Sequence, residues 1–111
     1  MQDFRRGEVV LIAFPFADAS GTKRRPALVI LDTGDQDLVV VRVTSQRAQT
    51  TFDVDIEHWR EAGLLLPSAA RVHKLATLEK RLVERRLGAV TPDDWKRVHS
   101  RIRQLVDSIP V

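Results

Sequence analysis

"AARVHKLATLEKRLVERRLGAV", residues 69–90, is the stretch on which the fold turns, because it satisfies two periods at once. Leu75, Leu78, Leu82 and Val83 suit one face of a helix, whereas Val83, Arg85, Leu87 and Ala89 alternate as one side of a strand does. Periodicity alone leaves both readings open. The same stretch holds most of the positive excess: residues 71–90 carry 6 basic and 2 acidic side chains, against 7 and 6 over residues 1–50. A second focus lies at Lys23, Arg24 and Arg25.

Outward from this stretch the pattern is clearer. Downstream, "TPDDWKRVHSRIRQLVDSI" offers Thr91 as N-cap, Pro92 at the first helical position and Asp94 three residues after the cap. Trp95, Val98, Ile102, Leu105, Val106 and Ile109 then form one apolar stripe, so an amphipathic helix is predicted. Upstream, "EVVLIAF", residues 8–14, is a continuous apolar run of strand length, as in a strand covered on both faces. Pro15 ends it. "ADASGTKR" brings Asp18, Ser20 and Gly21 together as loop chemistry, and "PALVILD" and "LVVVRVT" flank the short turn "TGDQD" as a hairpin. "FDVDI", residues 52–56, alternates apolar positions with Asp53 and Asp55, the pattern of a half-exposed strand, and a polar turn or short helix then stops at Gly63. The expectation is a single domain over residues 1–111, mainly β with α: a small, strongly bent sheet or barrel closed by a C-terminal helix.

Composition narrows the function classes. With 43% hydrophobic and 30% charged residues the chain has enough apolar surface to fold as a globular domain. No window of 18 apolar residues occurs and "MQDFRRGE" has no apolar core after its charges, which predicts neither a membrane span nor a signal peptide and a cytoplasmic location. The absence of cysteine excludes disulfides, thiolate zinc sites and a cysteine nucleophile. His58, His73 and His99 lie far apart, and Asp53, Asp55 and Glu57 read as the wet side of a strand, so no metal or cofactor is expected. Neither a nucleophile elbow nor a P-loop is present. A net charge of +3 favours an anionic partner only weakly, but two cationic foci converging in a compact fold would attract a phosphate backbone. A solvated face explains residues 80–86 equally well.

The residue best suited to a site is Arg25. Pro26 restricts its backbone and holds it at a strand entrance, and its planar, permanently charged guanidinium can grip two phosphate oxygens at once. An ion pair with Asp18 or Asp32 would instead give it an ordinary surface role.

Taken in order, "RRGEVVLIAFPF", "KRRPALVI", "VVRVTSQ" and "LLLPSAARVHKLATLEKRLVERRLGAVT" followed by a helix resemble the segments of the MazF/PemK family of toxins from type II toxin–antitoxin systems, over nearly the whole chain. The resemblance implies an SH3-like, PemK/CcdB-like barrel with a C-terminal helix, a homodimer, and metal-free endoribonuclease cleavage of single-stranded RNA. It favours strands for much of residues 70–90. In that family the arginine of the Arg-Pro step and a threonine ending the next strand form the catalytic site; these match Arg25 and Thr44. Nucleic-acid contacts are then expected from Lys23, Arg24, Ser45, Gln46, Arg71, His73 and Lys74. His73 stands where relatives often carry an acidic residue, which leaves a base contact and plain packing both open. The loop before Arg25 lacks the glutamate of many relatives, so no RNA sequence preference follows.

The implied chemistry is attack of a substrate 2′-hydroxyl on its neighbouring phosphate, giving a 2′,3′-cyclic phosphate and a 5′-hydroxyl. The implied partner is an antitoxin with an acidic, initially disordered segment. Two alternatives stand beside this reading. One is a non-enzymatic toxin of the same fold that binds a protein such as DNA gyrase; the other is a DNA-binding module using Arg97 and Arg101 on the terminal helix.

Overall fold

The computed structural model describes residues 3–15, 22–46 and 49–111; the loop expected around Asp18, Ser20 and Gly21 lies outside the described residues. Six strands precede one helix: β1 (Glu8–Pro15), β2 (Thr22–Leu31), β3 (Asp37–Thr44), β4 (Asp53–Ile56), β5 (Ser68–Glu79), β6 (Val83–Ala89) and α1 (Pro92–Asp107). All neighbours in the sheet are antiparallel, in the order β4-β5-β3-β2-β1-β6. The ambiguous stretch is therefore two strands, joined by a single 3₁₀ turn at Lys80–Leu82.

Its mixed periodicity has a structural cause. β3 pairs with β5 in two registers, with Val41 opposite Leu75 but Arg42 opposite Arg71, so Val72, His73 and Lys74 bulge out of the ladder. The bulge bends β5. Ala70 and Val72 enter one core cluster with Leu28, Val41, Val43, Val54, Trp95 and Val98, whereas Ala76 and Leu78, beyond the bend, cover a second cluster of Val10, Ile12, Ala27, Val29, Leu38 and Val40. Adjacent residues Val9 and Val10 thus belong to different clusters, which is why β1 reads as an unbroken apolar run.

The expected closed barrel is not met: among the described residues no ladder joins the edge strands β4 and β6. The gap is covered by backbone packing instead. Gly63, at φ +81°, lies so close to β6 that a Cβ there would stand 1.9 Å from the Leu87 carbonyl oxygen, and a Cβ on Gly88 would stand 2.6 Å from that of Ala62. Only glycine permits this approach, and a side chain on either residue would push the segment at residues 62–66 off the sheet.

The helix begins as the sequence predicts. Thr91 Oγ1 accepts a hydrogen bond from the Asp94 amide at 3.3 Å, and Trp95 and Val98 are buried. Val106 and Ile109, expected in the same stripe, are exposed, whereas Ile102 and Leu105 still pack against the core.

Candidate active site

Four strands and the segment that runs into β5 converge on a cavity of roughly 380 Å³. β1 contributes Leu11, β2 contributes Arg25 and Pro26, and β3 contributes Val43 and Thr44, with Ser45 and Gln46 just beyond its end. β6 contributes Arg85 and Leu87 from the opposite side, and Leu64, Leu65, Leu66 and Ser68 form the rim. Leu65 is 91% exposed, so the rim is apolar where it meets solvent.

Thr44 is held in a definite way. The Gln46 amide donates to its Oγ1 at 3.1 Å, so the hydroxyl is occupied as an acceptor and keeps its own proton to donate. Arg25 is half-buried and has no carboxylate partner among the described residues; Asp32, one of the two partners weighed from the sequence, is taken by Lys80 at 2.8 Å, and Asp18 lies outside the described residues. Among the described residues no aspartate or glutamate lines the cavity.

Of the residues expected to hold nucleic acid, Ser45 and Gln46 line this cavity with Arg25 and Thr44, and the others do not. Arg24 turns to Glu84 on β6, with Nε 2.7 Å from one carboxylate oxygen, although the side chain stays largely exposed. Lys23 is exposed near the start of β2. Arg71, His73 and Lys74 lie at the β5 bulge. There Arg71 Nε is 3.3 Å from the buried Asp53 carboxylate, and the His73 Nδ1, buried and without a hydrogen-bond partner among the described residues, is 4.0 Å from it.

Asp53 itself departs from the sequence reading. Rather than facing solvent with Asp55, it is buried and accepts hydrogen bonds from the amides of Gln49 and Thr50, closing the turn that leads into β4. Burial alone would raise its pKa, but those amides and Arg71 together hold the carboxyl below the usual range. Among the described residues no three His, Asp or Glu side chains gather in a way that could hold a metal ion. The terminal-helix cations are similarly committed: Arg97 donates to the Asp55 carbonyl at 2.8 Å and to Asp94, and Arg101 donates to the Thr51 carbonyl. Both guanidiniums are tied to the protein's own chain, which removes the basis for a DNA-reading helix face.

Arg85 is the cavity residue that the sequence reading missed. A signal existed, since the alternation of Val83, Arg85, Leu87 and Ala89 already placed it beside Leu87, but which face that was depends on β6 pairing with β1.

The family model of PemK-like, MazF-like toxins of type II toxin–antitoxin systems matches residues 5–106. No curated protein matches the chain. Among solved structures, an endoribonuclease from a Mycobacterial species is 20% identical with a TM-score of 0.75, covering 99% of this chain and 98% of that one. An endoribonuclease in complex with its cognate antitoxin, also from a Mycobacterial species, is 20% identical at TM-score 0.73 over 96% and 97% of the two chains. MazF from Deinococcus radiodurans is 22% identical at TM-score 0.74 over 94% and 96%. At such identities the likeness establishes a shared fold.

Proposed function

This chain belongs to the PemK-like, MazF-like family of toxins of type II toxin–antitoxin systems, and from that premise we propose that it is an endoribonuclease that cleaves single-stranded messenger RNA in the cavity between Arg25 and Thr44. The observation that carries the reading is the convergence itself. An arginine with no carboxylate partner among the described residues and a threonine hydroxyl that accepts from the Gln46 amide and keeps its proton to donate come from different strands to one cavity with no acidic lining among those residues.

The reaction needs no external nucleophile. The 2′-hydroxyl oxygen of one nucleotide attacks the adjacent phosphorus, the bond from phosphorus to the 5′-oxygen breaks, and the proton lost by the hydroxyl is balanced by one gained at the leaving oxygen. The products are a 2′,3′-cyclic phosphate and a 5′-hydroxyl. Arg25 neutralises charge accumulating on the non-bridging oxygens, and Thr44 donates a hydrogen bond to the same group; both contributions grow toward the transition state. Ser45 and Gln46 are exposed beside Thr44 and line the same cavity, which supports contacts from them to the flanking nucleotides.

The same reading supplies partners. A cationic cavity with an apolar leucine rim suits an antitoxin segment that is acidic and folds on binding. A homodimer is the proposed assembly, supported by Leu31 and Leu75, which remain half-exposed on β2 and β5, the strands on either side of β3.

An RNA with a single deoxynucleotide immediately before the cut separates this chemistry from hydrolysis by water. It is expected to bind nearly as well as RNA, since its phosphates are intact, and to resist cleavage at that position even with excess chelator and unmodified RNA cut alongside. Cleavage of the deoxy-substituted strand, or dependence of the unmodified reaction on added magnesium, contradicts the mechanism. Tight binding to a protein target with no RNA cleavage would favour the gyrase-type alternative.

A further inference from the structure

We propose that Arg85 is a substrate-positioning residue that grips a second RNA phosphate, next to the one held at Arg25; the inference rests on the ribonuclease reading above.

The register places it there. Leu11 on β1 lies opposite Pro26 of β2 on one side and opposite Arg85 of β6 on the other, so Pro26, Leu11 and Arg85 form one row across three strands. Residues directly opposite in antiparallel strands share a face, and all three line the cavity. With strands about 4.8 Å apart, the row spans roughly 10 Å between its outer members. Arg85 therefore stands across the cavity floor from the Arg25–Pro26 step.

Charge pairing singles it out. Its sequence neighbour Glu84 is taken by Arg24, and its other neighbour Arg86 has Nε 2.9 Å from Glu8. Arg85, exposed between them, has no carboxylate partner among the described residues. Among the described residues the cavity thus holds two guanidiniums and no acidic side chain, an arrangement complementary to a ligand with two separate negative centres. One phosphate would occupy one of them. A single-stranded polynucleotide, with a phosphate at every residue, supplies a second at a fixed interval, and gripping it fixes which phosphate lies at Arg25.

The test uses the intact protein and a short single-stranded RNA containing its mapped cleavage sequence, together with the same strand carrying the deoxynucleotide so that binding is read without cleavage. For Arg85→Ala, binding is expected to weaken about tenfold at low salt. The slope of log affinity against log salt should fall by about 0.7, the loss of one contact on a single strand. KM should rise with kcat retained. Arg85→Lys should keep the salt slope, and Arg86→Ala, which removes an equal charge one residue away, should leave slope and KM as in the wild type. Replacing phosphates one at a time by uncharged methylphosphonates should reveal one non-scissile position that matters to the wild type and not to Arg85→Ala.

A folded Arg85→Ala protein with wild-type slope and KM, while the wild type binds and cuts, overturns this inference alone. So does a fall in kcat at unchanged KM. Failure of the wild type to bind or cut RNA at all overturns it together with the ribonuclease reading.

Discussion

Arg25 and Arg85 look onto a cavity with no acidic lining among the described residues, whereas Lys80, Arg71 and Arg97 each close on a buried carboxylate, those of Asp32, Asp53 and Asp94. In the second group each carboxylate also ties down backbone. Asp32 accepts from the amides of Asp3, Phe4 and Gly34, Asp53 from those of Gln49 and Thr50, and Asp94 from those of Glu57 and His58. These pairs pin the N-terminal segment and two turns to the sheet and helix. The difference separates charges that are spent inside the protein from charges left for a ligand, and the two kinds should respond oppositely to mutation.

The largest effect is expected where a spent charge is broken. Asp32→Ala takes from Lys80 its buried partner, leaving Asp3 at 3.3 Å, and deprives three amides of their acceptor; it should cost about 3–5 kcal/mol in denaturant unfolding, with cleavage per folded molecule unchanged. Loss of activity without loss of stability would place Asp32 in the wrong group. The same pair sets an acid limit. Burial alone would raise the Asp32 pKa, but Lys80 and the three amides hold its carboxyl far below the usual range, as the Gln49 and Thr50 amides and Arg71 hold Asp53 below it. A depressed carboxyl stabilises the fold above its unfolded pKa of about 4, and that stability is lost as pH falls below this value toward the folded pKa. The melting temperature should therefore drop below about pH 4. Asp32→Asn should show a shallower drop; an unaltered acid limb would mean that other groups set it.

Next in size is Gly63→Ala, which adds a Cβ 1.9 Å from the Leu87 carbonyl at a positive φ and should destabilise by at least about 2 kcal/mol. It also displaces the leucine rim, so cleavage should fall beyond what the unfolded fraction explains. Smaller again is Thr44→Ala, expected to slow cleavage about tenfold, with Thr44→Ser retaining most of the rate because only the hydroxyl acts. Equal loss in both variants would assign Thr44 a packing role through its methyl group.

Much of this division was hidden from the sequence. Thr91, Pro92 and Asp94 announce the helix because capping is local, and strands β1 to β3 announce themselves because their apolar runs lie between turn residues. That the Asp94 carboxylate holds the turn at Glu57 and His58 could not be read, since those residues lie 37 and 36 positions away. Strands β5 and β6 were legible only through family resemblance, because the bulge at Val72 to Lys74 and the corner at Lys80–Leu82 break the period of two on which strand recognition depends. Arg24 and Arg25 are identical side by side. What distinguishes them is Glu84, 60 residues on, which engages the first and leaves the second at the cavity.

The central claim is that Arg25, which has no carboxylate partner among the described residues, does the chemistry and little of the folding, and Arg25→Ala measured for both properties in one preparation tests it directly. Single-turnover RNA cleavage should fall at least about 10²-fold, while the unfolding free energy stays within about 0.5 kcal/mol of the wild type. A near wild-type cleavage rate, or a loss of activity that merely tracks a loss of stability, would contradict the account.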